Sequence, residues 1–426
     1  VEELCRRPED GEDRIALRGG TALGARLRPG GGGGTGRLSA EATYLVTGGL
    51  GGLGLLVAER MVARGARTLV LCGRRGASSS SAAAVARLEG AGAKLRVWRA
   101  DVSDAAEVGG LLARIEAELP PLRGIVHCAG IVDDGILAEQ RWQRFARVLA
   151  PKVAGTWALQ AGVRERPLDF LLLFSSTASV LGAAGQGSYA AANAFLDAAA
   201  HELRRHGCRA VAIGWGPWEG IGMAAGDPTL RERSLHRGVR PLDVEEGCGV
   251  LERLLNNDGA RVVAAAVDWE RFARSAGRRR DRGLLAELLA PGLSPDVAPG
   301  PPGLRGRIVG APPEARARIL RDGILEGVRK VMGLGPGDGI RADRPLMEQG
   351  LDSLMSVELR NLLAAGLGEP LPVGLLFDHP SVDDLCQHLT AQLRTGAAGR
   401  QRPDEFAYLD GLAPEELEAL VRKDVG

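Results

Sequence analysis

Tyr189 and Asn193 stand four residues apart in the run Ser188-Tyr189-Ala190-Ala191-Ala192-Asn193. On a helix that spacing puts both side chains on one face. Upstream, the apolar run Phe170–Phe174 ends in Ser175-Ser176, and Lys152 lies earlier, in a helical pattern beginning near Trp142. A phenol, a hydroxyl, an amide and a cation brought together suit proton transfer to a carbonyl under reduction. The phenol would give the proton and hydroxyl donors would meet the developing oxyanion. A cation beside the phenol is expected to lower its pKa from about 10. Taken singly, each residue has a plainer reading: a core tyrosine, a surface lysine, a helix-facing asparagine. The four together, after a nucleotide motif, favour chemistry.

That motif opens at Thr47. The strand-like Tyr44–Thr47 runs into Gly48-Gly49-Leu50-Gly51-Gly52-Leu53-Gly54 and then a helical pattern. Glycines at 48, 52 and 54 let the backbone turn tightly and approach a pyrophosphate resting on the helix N-terminus. The next strand ends in Cys72-Gly73-Arg74-Arg75, where an acid would instead read a ribose diol. Two guanidiniums suit the 2′-phosphate of NADPH. Asp101-Val102 ends the third strand, where an adenine edge fits. Cys128-Ala129-Gly130 ends the fourth, where Ala129 and Gly130 leave room for ribose and nicotinamide.

A second reactive position is Ser353, in Gly350-Leu351-Asp352-Ser353-Leu354. An acid before a serine at the start of a helix is a good place for a phosphate diester, because the helix end offers spare N–H donors and partial positive charge. A serine there also reads as a helix cap.

Strand-like runs at Tyr44–Thr47, Thr68–Cys72, Leu95–Arg99, Gly124–His127, Phe170–Phe174 and Arg209–Ile213 alternate with amphipathic helices. That alternation predicts a doubly wound, Rossmann-type parallel sheet with helices on both faces. Residues 1–40 are polar and end in a glycine run; 276–312 are rich in Pro, Gly and Arg and read as a linker. Helical patterns over Glu314–Met332, Ser353–Ala365 and Ser381–Gln392 predict a small all-α bundle within 313–395, in which Leu354, Val357 and Leu362 face the core and Met355 stays exposed. Residues 396–426 are a tail.

The chain has 426 residues, more than one average domain. A net charge of +1 argues against a nucleic-acid partner. No apolar run approaches the roughly 20 residues of a membrane span. The six cysteines form no CxxC pair and the six histidines no ligand-spaced cluster, so reduced cytoplasmic thiols and no metal are expected. The chain begins at Val1 without an initiator Met and is expected to be cut from a longer polypeptide.

Residues 41–275 resemble the ketoreductase domain of modular (type I) polyketide synthases, a branch of the short-chain dehydrogenase/reductase superfamily. The glycine turn matches TGxxxGxG, and the exchange that puts Asn193 four residues after Tyr189, with Lys152 upstream, is characteristic of that branch. The resemblance implies Tyr189 as proton donor, Ser176 as oxyanion partner, Lys152 as partner of phenol and ribose, and Asn193 as support for the lysine and a water relay. It also implies a D-configured (3R-type) product. Val132-Asp133-Asp134 stands where D-type reductases carry Leu-Asp-Asp, and Leu181 where L-type ones carry Trp. Trp215-Gly216-Pro217-Trp218 looks like the active-site rim, with 219–240 as a lid. Residues 1–29 resemble the segment leading from the reductase's structural half.

Residues 313–395 resemble an acyl carrier protein, on Gly350–Leu354 and Phe377-Asp378-His379-Pro380-Ser381. The implications are 4′-phosphopantetheine on Ser353, a phosphopantetheinyl transferase to install it, a tethered acyl chain and neighbouring synthase modules. In the alternative, the reductase fold is an inactive scaffold beside a working carrier.

Overall fold

The computed structural model describes residues 14–18, 21–30, 37–135, 137, 140–164, 166–183, 185–223, 231, 234–235, 237–255, 259–275, 282–288, 303–332, 334, 339–351, 353–369, 371–372 and 374–395. It divides into two compact units, Val1–Ala298 and Pro299–Gly426.

The first unit opens with an antiparallel hairpin, β1 (Ile15–Arg18) and β2 (Thr21–Gly24). A parallel sheet follows, built from β3 (Thr43–Thr47), β4 (Thr68–Gly73), β5 (Lys94–Arg99), β6 (Leu122–His127), β7 (Phe170–Ser176) and β8 (Ala210–Trp215). After the short β9 (Val239–Arg240), strand β10 (Arg261–Ala264) completes seven strands in the order β10-β8-β7-β6-β3-β4-β5. Sequence reading missed this seventh strand. It is short and lies in Arg261–Val267, which has no alternation to distinguish it from a helix.

The inner strands are apolar on both faces, as a sheet covered twice requires. Tyr44 and Val46 pack on one side with helix α1 (Gly52–Ala63), while Leu45 packs on the other. The same alternation runs along β7, with Leu172 and Phe174 on the first side and Leu171 and Leu173 on the second. Helices α2 (Ser79–Gly90), α3 (Ala105–Glu118), α4 (Trp142–Val163), α5 (Ala178–Leu181), α6 (Gly187–Arg205) and α7 (Val244–Leu254) connect the strands. Strand order reverses at β3, which pairs with β4 on one side and β6 on the other. Ligands of such sheets bind in the crevice at the carboxyl ends of that switch point.

Two segments read as linker are folded. After β11 (Ala266–Val267) and α8 (Trp269–Ser275), helix α9 (Arg282–Leu285) buries Leu284 and Leu285 with Val180, Leu181, Val239 and Phe272. Leu27, beyond the hairpin, packs on the same cluster, and its N–H donates to the Leu284 carbonyl at 2.8 Å. The leading segment and the end of the reductase unit thus close on each other. In the second unit, helix α10 (Leu304–Val309) buries Leu304 and Ile308 among α11 (Pro313–Met332), α12 (Ser353–Leu367), α13 (Leu375–Asp378) and α14 (Val382–Thr395). Apolar residues at 304 and 308 have helical spacing, but the surrounding Gly, Arg and Pro conceal it. The tail 396–426 and the proline run 291–302 lie outside the described residues.

Because Leu304 is core to the second unit, Leu304→Ala should destabilise it by about 2–5 kcal/mol. Hydrogen–deuterium exchange on the full chain should show faster exchange in α11 and α12 and unchanged protection in β3–β8. Unchanged exchange in α11 and α12 would return residues 304–309 to the linker.

Candidate active site and carrier serine

Gly48 follows β3 with φ of +65°, a conformation open to glycine. A Cβ on it would lie 2.9 Å from the Ala129 nitrogen, and one on Gly54 would lie 2.3 Å from the Gly48 carbonyl oxygen. The turn is therefore pressed against 128–130 at the switch point. Helix α1 begins beyond it with no side-chain cap and no acid in its first turn, which fits an anionic group. Ile221 packs over this turn, with its Cγ2 3.1 Å from a Cβ built on Gly52. Arg74 and Arg75 are exposed at the end of β4. The Asp101 carboxylate accepts from the Ser103 N–H (2.9 Å) and hydroxyl (2.6 Å), which hold it below its usual range, with Arg74 adding to the effect. Val102 is buried.

Thr47, expected to face the cofactor, turns inward instead. Its hydroxyl meets His127 Nδ1 at 2.6 Å, and His127 Nε2 meets the Pro151 carbonyl at 3.0 Å. A carbonyl only accepts, so Nε2 carries the hydrogen, and the Thr47 hydroxyl donates to Nδ1. Burial, then the nearby Lys152 charge, push His127 down to about 3 from 6.5. His127 therefore sits neutral against α4, one residue from Lys152.

Lys152 is 2% exposed and donates to the Phe174 carbonyl at 2.8 Å. Burial lowers it to about 8, opposed by Cys128 and Asp197. Its Nζ lies 5.8 Å from the centre of the Tyr189 ring. Gly130 lies beside it, a built Cβ falling 3.1 Å from Lys152 Cε. Asn193 Nδ2 donates to the Tyr189 carbonyl at 2.7 Å, and its Oδ1 is buried without a partner. The expected Asn193–Lys152 bond is absent among the described residues; α6 takes up the amide itself.

The expected lowering of the phenol is also corrected. Burial raises the Tyr189 pKa, while hydrogen bonding with Ser176 and then Asn193 opposes the rise. Desolvation of the anion is the largest effect on the phenol, and the nearby Asp134 charge adds to the rise. Ser176 ends β7, and its Oγ accepts from the Ala178 N–H at 3.2 Å.

Asp133 pairs with Arg144 and, at 3.6 Å, with Arg147 of α4. Asp134 Oδ2 accepts from Gln186 Nε2 at 3.0 Å, and the Gly135 N–H donates to the Gly185 carbonyl at 2.8 Å. The loop is thereby stitched to the turn that precedes Tyr189. Leu181 is buried in the cluster around Phe272. Trp215 and Trp218 belong to the core rather than a rim: both are buried, and Trp215 packs, with its ring tilted, between Phe174 (5.5 Å) and Trp218 (4.9 Å). Part of 219–240 lies outside the described residues.

In the second unit, Ser353 opens α12, whose first turn holds no acid. That start fits a phosphate ester. Asp352 lies outside the described residues. The approach is fixed from behind. Gly350 takes φ of +100° to end the turn Leu346–Gln349, and Leu351 is buried. The Gln349 side chain accepts from the Arg341 N–H (2.8 Å) and donates to the Arg341 and Arg344 carbonyls (2.9 and 3.0 Å). From α12 the core takes Leu359, Leu363 and Leu367; Leu362 is half-buried, and Met355, expected exposed, packs partly against the core. The FDHPS segment ends in a reciprocal cap, Ser381 Oγ accepting from the Asp384 N–H (3.1 Å) and Asp384 Oδ2 from the Ser381 N–H (3.2 Å).

Among the described residues there is no cluster of three or more His, Cys, Asp or Glu that could hold a metal, and no helix long and apolar enough to cross a membrane.

A seven-stranded parallel sheet with a glycine turn at its switch point, joined to a helical carrier, defines a Rossmann-type oxidoreductase domain with a tethering domain. Residues 42–220 match the KR domain family and residues 322–389 the phosphopantetheine attachment site family. The chain is 38% identical over 395 residues to a spectinabilin polyketide synthase system protein of Streptomyces orinoci, covering 90% of this chain and 18% of that one. It is 35% identical over 422 residues to an erythronolide synthase of Saccharopolyspora erythraea, covering 98% of this chain and 13% of that one. A solved structure of A-type ketoreductases from a modular polyketide synthase superimposes with a TM-score of 0.58 at 35% identity, covering 64% of this chain and 58% of that one. The chain belongs to the modular polyketide synthases, as a ketoreductase domain followed by a carrier domain, and spans less than a fifth of the length of these curated relatives. A ketoreductase of this fold uses a nicotinamide cofactor.

His127 supplies a pH test. Its folded value of about 3 lies below the ordinary 6.5, so the unfolded chain binds the extra proton as pH falls between them. Its contribution to stability is full above pH 6.5 and is lost as pH drops toward 3. The stability of the reductase unit in His127→Asn, followed by urea unfolding, should fall less steeply between pH 6 and pH 4 than in the wild type. Parallel curves would mean that His127 titrates normally.

Proposed function

We propose that the reductase unit uses NADPH to reduce a carrier-bound 3-oxoacyl thioester to the D (3R-type) 3-hydroxyacyl thioester, with the chain held through phosphopantetheine on Ser353. The observation that carries this reading is the gathering of Ser176, Tyr189, Lys152 and Asn193 at the carboxyl ends of β6 and β7, beside the glycine turn. The bound cofactor supplies hydride. Tyr189 Oη gives its proton to the substrate oxygen, and Ser176 Oγ donates to that oxygen as charge develops. Lys152 supports the phenol with a buried positive charge and offers its remaining donors to the cofactor ribose, while Asn193 holds the helix turn that carries Tyr189.

Thr47, Gly48, Gly52, Leu53 and Gly54 shape the pyrophosphate turn, Thr47 from behind through His127. Arg74 and Arg75 would grip the 2′-phosphate, which favours NADPH over NADH. Asp101 and Val102 would flank the adenine, and Ala129 and Gly130 the nicotinamide ribose. Asp133 and Asp134 would set the product configuration through the loop they hold against Gln186, in the absence of a Trp at Leu181. A phosphopantetheinyl transferase would load Ser353, and neighbouring modules would supply and remove the acyl chain.

Tyr189→Phe should lower kcat by about 10²–10⁴-fold. The assay is NADPH consumption with a β-ketoacyl thioester; a turnover equal to wild type removes Tyr189 from its role. Arg74→Ala should weaken NADPH by roughly ten- to a hundred-fold, the size of a lost charge-assisted bond, and leave NADH unchanged. Incubation with coenzyme A and a transferase should add one phosphopantetheine to the intact mass and none in Ser353→Ala. An unmodified wild type would end the tethered reading.

A further inference from the structure

Asp197 follows Asn193 by one turn of α6 and Tyr189 by two, so the three share a face. Its side chain is 6% exposed, yet the proposed reduction has no step for it. One oxygen, Oδ2, takes two contacts: the Ser179 hydroxyl at 2.6 Å and the Arg261 guanidinium, from β10, at 2.7 Å. Ser179 sits on the short α5 directly after Ser176, and its hydroxyl also lies 2.8 Å from the Ser176 carbonyl. A hydroxyl has one hydrogen, and the carboxylate is the stronger acceptor. The other oxygen, Oδ1, is buried with no hydrogen-bond partner. A buried carboxylate held this way is costly unless something nearby needs its charge.

We propose that Asp197 is a positioning residue of the reductase: through Ser179 and Arg261 it locks the Ser176 turn and the edge strand β10 onto the helix that carries Tyr189 and Asn193.

This inference rests on the reductase reading of that site. The ammonium of Lys152 faces Cys128 and His127 from the end of β6, the Phe174 carbonyl from β7, and the Tyr189 ring and Asp197 from α6. His127 is neutral, and burial keeps Cys128 a thiol. Asp197, ion-paired with Arg261, is near enough to Lys152 to favour its charged form, which gives the positioning role a titration readout.

The test uses the full chain. Asp197→Asn should lower kcat by about ten- to a hundred-fold, as expected when reacting groups are slightly misplaced, with KM for NADPH unchanged. The chain has four lysines, so the side-chain signals of a carbon-13 lysine-labelled sample can be assigned by substitution. The titration midpoint of Lys152 should move to lower pH in Asp197→Asn, and the alkaline fall of kcat should move with it. Ser179→Ala keeps the charge and loses the tie. It should lower kcat and leave the Lys152 midpoint in place. A kcat equal to wild type in Ser179→Ala, or a Lys152 midpoint that does not move in Asp197→Asn, overturns the assignment. If Asp197→Asn fails to fold, Ser179→Ala decides through kcat. A wild type without turnover would instead count against the reductase reading, and the lysine titration would still judge whether Asp197 acts on Lys152.

Discussion

A buried ammonium is the constraint around which the reductase unit is built. Lys152 is 2% exposed, and a cation removed from water must be resolvated by the protein or lose its proton. The unit does part of each. Burial pulls the lysine to about 8, opposed by Cys128 and Asp197, while the Phe174 carbonyl accepts from the ammonium. Its neighbours are chosen to add no competing charge: His127 is fixed in its neutral form by a donor on one nitrogen and an acceptor on the other. That arrangement uses β3, β6 and helix α4 together, so the glycine turn and the lysine share one support.

Helix α6 does the corresponding job from the other side. Its residues 189, 193 and 197 recur every four positions and face the sheet ends. The middle one stiffens the helix turn by bonding the carbonyl of the first. The last is anchored to β10 and to the turn after β7. The seventh strand thus supplies Arg261 as well as an edge. In the carrier unit the logic differs. Its core is leucine-rich, with Leu359, Leu363 and Leu367 from α12, and polar groups serve to shape the approach to Ser353. A serine that receives a tether needs a defined helix start and open space, and Gln349 and Gly350 provide the first.

What could be read from the sequence followed from strong local signals. Six of seven strands and all three long carrier helices show in apolar periodicity, and the glycine turn shows in its setting between strand and helix. Other features depend on tertiary contacts that spacing does not encode. Strand β10 and helix α10 are short segments whose burial comes from distant partners, Ala212–Trp215 and the carrier core. In the sequence Thr47 is a cofactor candidate because it opens the glycine motif, whereas a histidine eighty residues away takes its hydroxyl. Trp215 and Trp218 read as a rim through the family resemblance, but both indoles are buried beside Phe174. Asp197 had a usable signal, since it continues the 189–193 spacing by one more turn.

The sign of the phenol shift bears most directly on chemistry. Sequence alone suggests that a lysine beside Tyr189 lowers the phenol pKa and so makes a better proton relay. Desolvation of the half-buried ring gives the opposite shift. For a reduction, the side chain must arrive protonated and part with its proton only as the oxyanion forms, so a raised resting value is the appropriate one. What must then be stabilised is the phenolate that remains. Ser176 and Asn193 already oppose the rise through hydrogen bonding, and the Lys152 nitrogen lies 5.8 Å from the ring centre. On the proposed reading, burial keeps the acid loaded, and the polar groups gathered by Lys152 and Asp197 lower the cost of unloading it.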